Sequence, residues 1–416
     1  MNRIKQLSDY DYTTALVCLF PILSLAYGKG YNLAALLLFL FSLISINSSK
    51  ACWKIQQTRL ICYCYLAYFF IFTFFMFLHG EKASYIDQTS RIVMVIPILL
   101  LIIHRGVKFQ YLAAAFALGA IIAGLVATYQ VYIVGMERAF SRGVGLWGKG
   151  YMPIQSGNAA IVLSMISLCF FIYFCQVKKW SYITLTLLGT VLGLFASLQS
   201  GSRGGWVFLP FALFYLAIQN RKLFSARVTL VLTLFILALI TVTASTDNAV
   251  SSRFEQAFQD IEKHENNDTN TSIGLRLELW KSATYSISEN PILGNSLATR
   301  LEQRQQQIRD GNIDFNPNYA DWHAHNEYLE ALSLRGGIGL LALLSIFFIP
   351  AYILNANKSE SNLQLQTINQ AGMTCLIMFS GFGLSQVYFN HNSGMIFYSF
   401  IISCFIAISI KLKHNN

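Results

Sequence analysis

Charge is what this chain has least of. Asp, Glu, Lys and Arg make up 12% of its 416 residues, against about 25% in an ordinary soluble protein. AVILMFWYC make up 55%, so a soluble globule is excluded. A disulfide scaffold is lacking too. The eight cysteines (18, 52, 62, 64, 169, 175, 375 and 404) fall in apolar stretches or in the short segments joining them, and none lies in the one large polar segment, 246–324. Cys62 and Cys64 stand one residue apart, which is neither a CxxC redox pair nor a zinc-ligand spacing, and they read as core residues of a helix. No metal site and no cofactor motif is apparent. The first apolar stretch has no small-residue cleavage signature after it, so it reads as a retained span and not a removed signal peptide.

The apolar residues lie in long blocks such as LAALLLFLFSLISI and VTLVLTLFILALITV, each near the ~20 residues that cross ~30 Å of hydrocarbon as a helix. The chain reads as an all-α polytopic membrane protein. Twelve spans are expected, near 13–27, 31–47, 60–78, 91–104, 109–134, 155–177, 182–198, 205–220, 228–245, 326–354, 367–387 and 394–410. With the N-terminus on the cytoplasmic side, the inner segments hold fifteen of the thirty Lys and Arg residues, facing only Asp9, Asp11 and Glu360. This positive-inside asymmetry predicts twelve spans with both termini cytoplasmic.

The organisation expected is nine spans over 1–245, an outward helical cap over 246–324, and three spans over 325–416. Within the cap, AVSSRFEQAFQDIEK, SIGLRLELWKSATYSI and SLATRLEQRQQQIRDG read as amphipathic helices. The second carries Leu275, Leu279 and Ala283 on one face, and the third ends at a Gly stop.

The net charge of +10 does not point to nucleic acid, because most of the excess sits at the inner ends of spans, where it sets orientation and meets anionic head groups. More telling are basic residues on the outward side beside glycines: Arg138, Arg142 and Lys149 in MERAFSRGVGLWGKGY, and Arg203 in LQSGSRGGW. Arg203 has two readings. One is an interfacial anchor that snorkels to head groups. The other is a phosphate clamp, since a planar guanidinium binds phosphate oxygens bidentately and stays charged at any working pH. Arg276, on the second cap helix beside Trp280, is either an ordinary solvated charge on an amphipathic helix or a second such ligand.

The third candidate is DWHAHNEYLEALSLRGGIGLL, where the cap hands over to the tenth span. His323 and His325 are two residues apart, about 200° on a helix, so helical geometry does not aim both at one metal. If Asp321 or Asn326 caps the span, His325 lies near a helix N-terminus whose partial positive charge keeps the ring neutral, the form a general base needs. A structural hydrogen bond is the alternative reading. His79 and His391 are outward as well, with no motif around them. Trp147, Trp206 and Trp280 lie near the outer face, suited to stacking on sugars or to interfacial packing.

His325, Asn326, nine residues, then Gly336, Gly337, Ile338 and Gly339 resemble the signature of the O-antigen ligases. SGSRGGW and the Arg, Trp and Pro-x-x-Gly pattern of GLRLELWKSATYSISENPILGN are similar to that family too, as is the order of spans, large loop and signature. The resemblance extends to the wider superfamily, which includes O-antigen polymerases and O-linked oligosaccharyltransferases. It implies a GT-C type glycosyltransferase in the bacterial inner membrane. Such an enzyme transfers O-antigen from undecaprenyl pyrophosphate to a sugar hydroxyl of lipid A–core at the periplasmic face, with inversion and without a metal. By the same resemblance His325 is the expected base and Arg203 and Arg276 the pyrophosphate ligands, with His323, Asn326, Arg142 and Trp280 as further candidates. The rivals are transfer to protein, polymerisation, and a transporter of lipid-linked glycan. A transporter is expected to carry internal repeats and charges at the membrane midplane; there is no convincing repeat, and the charges gather at the two faces.

Overall fold

A computed structural model describes residues 2–141, 152–223, 271–317, 320–359 and 361–414. The described residues form helices joined by short turns, with no strand among them. In chain order the main helices are α1 (Asn2–Ser24), α2 (Gly30–Ile44), α3 (Gln56–Leu78), α4 (Ile86–Arg105), α5 (Phe109–Thr128), α6 (Pro153–Gln176) and α7 (Trp180–Gln199). They continue with α8 (Leu209–Gln219), α9 (Ser272–Glu289), α10 (Leu297–Arg309), α11 (Glu327–Ala356), α12 (Leu363–Ser385) and α13 (Asn392–His414).

Among the described residues, seven helices are long and apolar enough to cross a membrane, and the broken segment 30–54, bent by 76° after Ile44, makes an eighth if it counts as one span. The protein is therefore a multi-pass membrane protein. Eleven of the twelve expected stretches carry a helix; the twelfth, 228–245, lies outside the described residues, as does the first expected cap helix. Two of the eleven depart from a straight, full-length helix. The stretch 31–47 is not straight, because its helix stops at Ile44. The stretch 205–220 yields only the 11 residues of α8, a rise of roughly 16 Å at 1.5 Å per residue, about half of a bilayer core. Glycines at 201, 204 and 205 occupy the preceding turn and delay the helix start.

The bundle is assembled through close approach. Lipid tails are as apolar as Leu, so helices in a membrane associate through packing and polar contacts, and small residues let backbones come near. Gly193 of α7 faces α6 so closely that a Cβ there would stand 2.9 Å from the Ser164 Cβ, and the Ser164 hydroxyl donates to the Thr190 carbonyl at 2.6 Å. At the centre lies α13, the most enclosed of the seven long apolar helices. It packs on α4 and α12, and Phe400 stacks on Phe20 of α1 at 3.8 Å between ring centroids. Lys411, near its end, donates to the His104 carbonyl at 2.9 Å.

The two described cap helices form as their sequences direct. Thr271 accepts from Gly274 N–H and Ser296 from Thr299 N–H, each closing a helix N-terminus. Leu279 and Ala283 of α9 are buried, and Leu279 joins Ile313 and Phe315 in a small core of their own. The helix α10 ends at Gly311, at φ +69°, the left-handed conformation glycine adopts without penalty.

Between α9 and α10, the loop Pro291–Asn295 docks into a break in α11. An unbroken helix would bond Gly337 N–H to the Ser333 carbonyl. Here Gly337 N–H donates to the Pro291 carbonyl at 2.8 Å, and the freed Ser333 carbonyl accepts from Asn295 N–H at 2.9 Å. Loop and helix exchange backbone bonds, so both of these groups stay paired. Gly336 makes the break, at φ +59° with its α-carbon face against the Ile292 carbonyl. Gly336→Ala should overlap that carbonyl and force a left-handed alanine, costing about 4 kcal/mol or more. The expected readout is loss of folded protein or a sharply lowered thermal midpoint in detergent; a midpoint within a few degrees of wild type would refute the interlock.

Candidate functional site

The start of α11 is the natural place to begin. Asn326 is its N-cap, its side-chain oxygen accepting from Tyr328 N–H at 3.0 Å and Leu329 N–H at 3.1 Å. His325 precedes the cap with φ +49°, a conformation uncommon outside glycine and sparsely populated unless the surroundings hold it. They do hold it. Trp280 Nε1 donates to the Ala324 carbonyl at 2.9 Å, and the Glu330 carboxylate accepts from Ala324 N–H at 2.8 Å. Glu330 is buried and pairs with Arg300 of α10 at 2.7 Å. One turn on, the buried Arg304 donates to the carbonyls of Ala320 at 2.8 Å and Trp322 at 2.5 Å. Both cap helices and the first turn of α11 thus grip the segment 320–326.

The His325 ring meets Gln386, at the end of α12: Nδ1 lies 2.9 Å from Oε1. Gln386 Nε2 lies 2.9 Å from His391 Nε2, and Glu327 accepts from Phe389 N–H at 2.9 Å, so the α12–α13 connection is tied to the start of α11. His323 and His325 stand in a loop and not on a helix, and their rings approach to 4.1 Å between centroids. The backbone N–H of His325 donates to His323 Nδ1 at 3.2 Å. Among the described residues, no group of three or more His, Cys, Asp and Glu is placed to hold a metal ion.

Burial is the main reason that the His325 ring is held below the usual imidazole value, with the Arg276 guanidinium pushing the same way and the Gln386 hydrogen bond opposing. Desolvation thus acts in the same direction as the helix-end charge expected there. Arg276 is itself partly desolvated, which lowers its hold on its proton without bringing it near neutrality. His323 is pushed down to about 4, by burial first and then by His325.

The second glycine-rich candidate arrives at the same place. The turn Arg203–Gly205 packs on α6 and α12, and Gly204 lies so close to the Ser385 hydroxyl that no Cβ fits. Ser385 is the neighbour of Gln386. Ser202 bridges to Asn158 of α6 at 3.3 Å. Arg138, one of the glycine-flanked cations singled out by sequence, donates from Nε to the Ser200 carbonyl at 2.9 Å and so braces this turn. Arg142, Trp147 and Lys149 lie outside the described residues. Trp206 bonds Ser197 at 3.3 Å, and Trp280 the His325 segment. His79 faces the Leu293 carbonyl at 3.3 Å.

Of the sequence candidates, then, His323, His325, Asn326, Arg276, Trp280 and the turn containing Arg203 come together. His391 joins them without any motif. Sequence reasoning missed Gln386, Arg300, Arg304 and Glu330. A signal existed for Glu330, a carboxylate one turn inside an apolar span, where an ionisable group is costly unless it has a task or a partner. For Gln386 there was none.

A family model described as O-antigen ligase matches residues 188–344. That stretch runs from α7 through the Arg203 turn and the cap into α11. The chain is 31% identical over 401 residues to an uncharacterized protein of Haemophilus influenzae, covering 94% of this chain and 97% of that one. It is 23% identical over 413 residues to the O-antigen ligase of Escherichia coli K12, covering 97% of this chain and 88% of that protein.

Burial pushes the His323 ring down from the ordinary imidazole value of about 6.5 in the unfolded chain to about 4 in the folded one. Between those values the native state binds fewer protons than the unfolded state. The contribution of the neutral ring is therefore complete above pH 6.5 and is lost as pH falls toward 4. His323→Asn should flatten the acid side of the thermal midpoint plotted against pH. A variant curve parallel to wild type from pH 6.5 to 4 would contradict the burial of a neutral ring.

Proposed function

Since the chain belongs to the O-antigen ligase family, we propose that it transfers O-antigen from undecaprenyl pyrophosphate to a sugar hydroxyl of lipid A–core. On this reading the chain crosses the bacterial inner membrane twelve times in a GT-C type fold, with both termini cytoplasmic and His325 at the periplasmic face. His325 Nε2 takes the proton of the acceptor hydroxyl as its oxygen bonds to the anomeric carbon. The bond from that carbon to the phosphate oxygen breaks, and undecaprenyl pyrophosphate leaves with the electron pair. Attack from the face opposite the leaving group inverts the anomeric centre. Charge rises on the pyrophosphate as the bond lengthens, and Arg203 and Arg276 hold it, supplying the electrostatic stabilisation that a metal gives in other phosphate chemistry.

The observation that carries this reading is the convergence, at one end of the bundle, of a neutral histidine fixed on a strained backbone, the partly buried Arg276, and the glycine-rich turn bearing Arg203. A base must be unprotonated to act, and burial favours that form of His325. Cations must stay charged to stabilise a leaving group, and arginine does so even when partly desolvated.

The test is transfer by purified protein of a labelled glycan from undecaprenyl pyrophosphate, with lipid A–core, a pilin-like protein and a second lipid-linked glycan offered in parallel. Label is expected on lipid A–core, with release of undecaprenyl pyrophosphate. Label on protein or on the second glycan would replace the acceptor assigned here, and movement between leaflets without transfer would replace the enzyme by a transporter. His325→Ala should lower the rate by about 10²-fold or more. Arg203→Lys should lose about as much, because it keeps the charge but not the planar fork. EDTA should leave the wild-type rate unchanged; a loss restored by a divalent ion would refute the arginine clamp.

A further inference from the structure

We propose that Gln386 is a positioning residue: its side-chain carbonyl fixes the proton of His325 on Nδ1, leaving Nε2 bare to accept a proton, and His391 holds the Gln386 amide the right way round. The inference rests on the reading of His325 as the base and adds the two residues that make it one.

A neutral imidazole carries one N–H and one bare nitrogen, and the partner of one nitrogen decides the state of the other. At His325, Nδ1 faces Gln386 Oε1 at 2.9 Å. A carbonyl oxygen only accepts, so Nδ1 bears the hydrogen and Nε2 the lone pair. Among the described residues no group is hydrogen-bonded to that Nε2. A glutamine amide can turn over, however, and a reversed Gln386 would present its NH₂ to Nδ1. The proton would then have to sit on Nε2, and the ring could not act as a base. His391 opposes the reversal when its own hydrogen is on Nδ1: its Nε2, 2.9 Å from the Gln386 NH₂, then accepts from the amide, and a reversed Gln386 would set a carbonyl oxygen against that lone pair.

The imidazolium that forms during proton transfer makes the demand stricter. With both ring nitrogens protonated, Nδ1–H needs an acceptor, and only the carbonyl side of Gln386 supplies one. Gln386 is buried, its backbone N–H bonds the Phe382 carbonyl at 3.1 Å, and its neighbour Ser385 packs against Gly204. The residue that sets the base therefore belongs to the same turn that supports the Arg203 segment. The other groups facing His325 are Arg276 from α9, Glu330 from α11 and His323 from its own segment, and among the described residues the hydrogen bond of Nδ1 goes to Gln386.

The experiment measures kcat and KM for glycan transfer from undecaprenyl pyrophosphate, from pH 5 to 9, in wild type, Gln386→Leu, Gln386→Glu, His391→Ala and His325→Ala. Gln386→Leu is expected to lower kcat about a hundredfold, the scale of a base held in the wrong tautomer or left unoriented, with KM within twofold. Gln386→Glu keeps the acceptor and cannot reverse. It should restore most of kcat at high pH and move the acid limb of the profile upward by about one pH unit, because a carboxylate beside the ring favours imidazolium. His391→Ala should fall between wild type and Gln386→Leu. If Gln386→Leu fails to fold, the near-isosteric Gln386→Glu still decides through its pH profile. A Gln386→Leu kcat within twofold of wild type, or a Gln386→Glu profile superimposed on it, overturns the proposal while a dead His325→Ala leaves the base assignment standing. Full transfer by His325→Ala overturns both.

Discussion

The buried ion pair between Glu330 and Arg300 is the contact on which the candidate site depends. A carboxylate one turn inside an apolar helix is tolerable only with a partner and satisfied oxygens, and Glu330 has both, in Arg300 and in the Ala324 N–H. Breaking such a pair by deleting one partner leaves an uncompensated charge and typically costs about 3–5 kcal/mol. The same carboxylate thereby joins three things: helix α10, the first turn of α11, and the segment that carries His325. Arg304 extends the grip to the Ala320 and Trp322 carbonyls. Without it a histidine at φ +49° would relax.

A second constraint acts on the backbone. An interrupted helix exposes N–H and C=O groups that hydrocarbon cannot satisfy, so irregular backbone at membrane depth needs protein around it. The break in α11 meets that demand through the Pro291–Asn295 loop, which gives and receives the bonds that the helix forgoes. The Pro-x-x-Gly and Gly-Gly elements of the sequence are therefore one structural feature in two pieces. Together they fix the cap on the bundle about three turns from His325.

These two constraints explain why the site gathers where it does. The cap reaches it through Trp280 and Arg276, the Arg203 turn reaches it through Gly204 against Ser385, and the α12–α13 connection reaches it through Gln386 and His391. Desolvation then does the electrostatic work, keeping the histidine pair neutral without removing the charge of arginines, whose ordinary pKa lies far above any working pH.

Much of this was legible from local pattern alone. Apolar runs located eleven helices that the structure describes. The spacing of Leu275, Leu279 and Ala283 marked the buried face of α9, and Asn326 was readable as a cap, because periodicity and capping depend on residues a few positions apart. The resemblance added which of the outward residues to watch. What local pattern could not convey were contacts made across the chain: Gln386 lies 61 positions from His325, and a glutamine at the end of an apolar helix looks the same whether it faces lipid head groups or a histidine. The approach of the two histidine rings was not legible either, because a loop carries them and no helical period sets their spacing. The truncation of α8 escaped as well, since hydropathy counts apolar residues and not where the backbone turns. Sequence determined which segments are helical and which residue types stand at their ends. Only the tertiary structure decided which of those residues meet, because their meeting is set by buried pairs and exchanged backbone bonds between segments that no period connects.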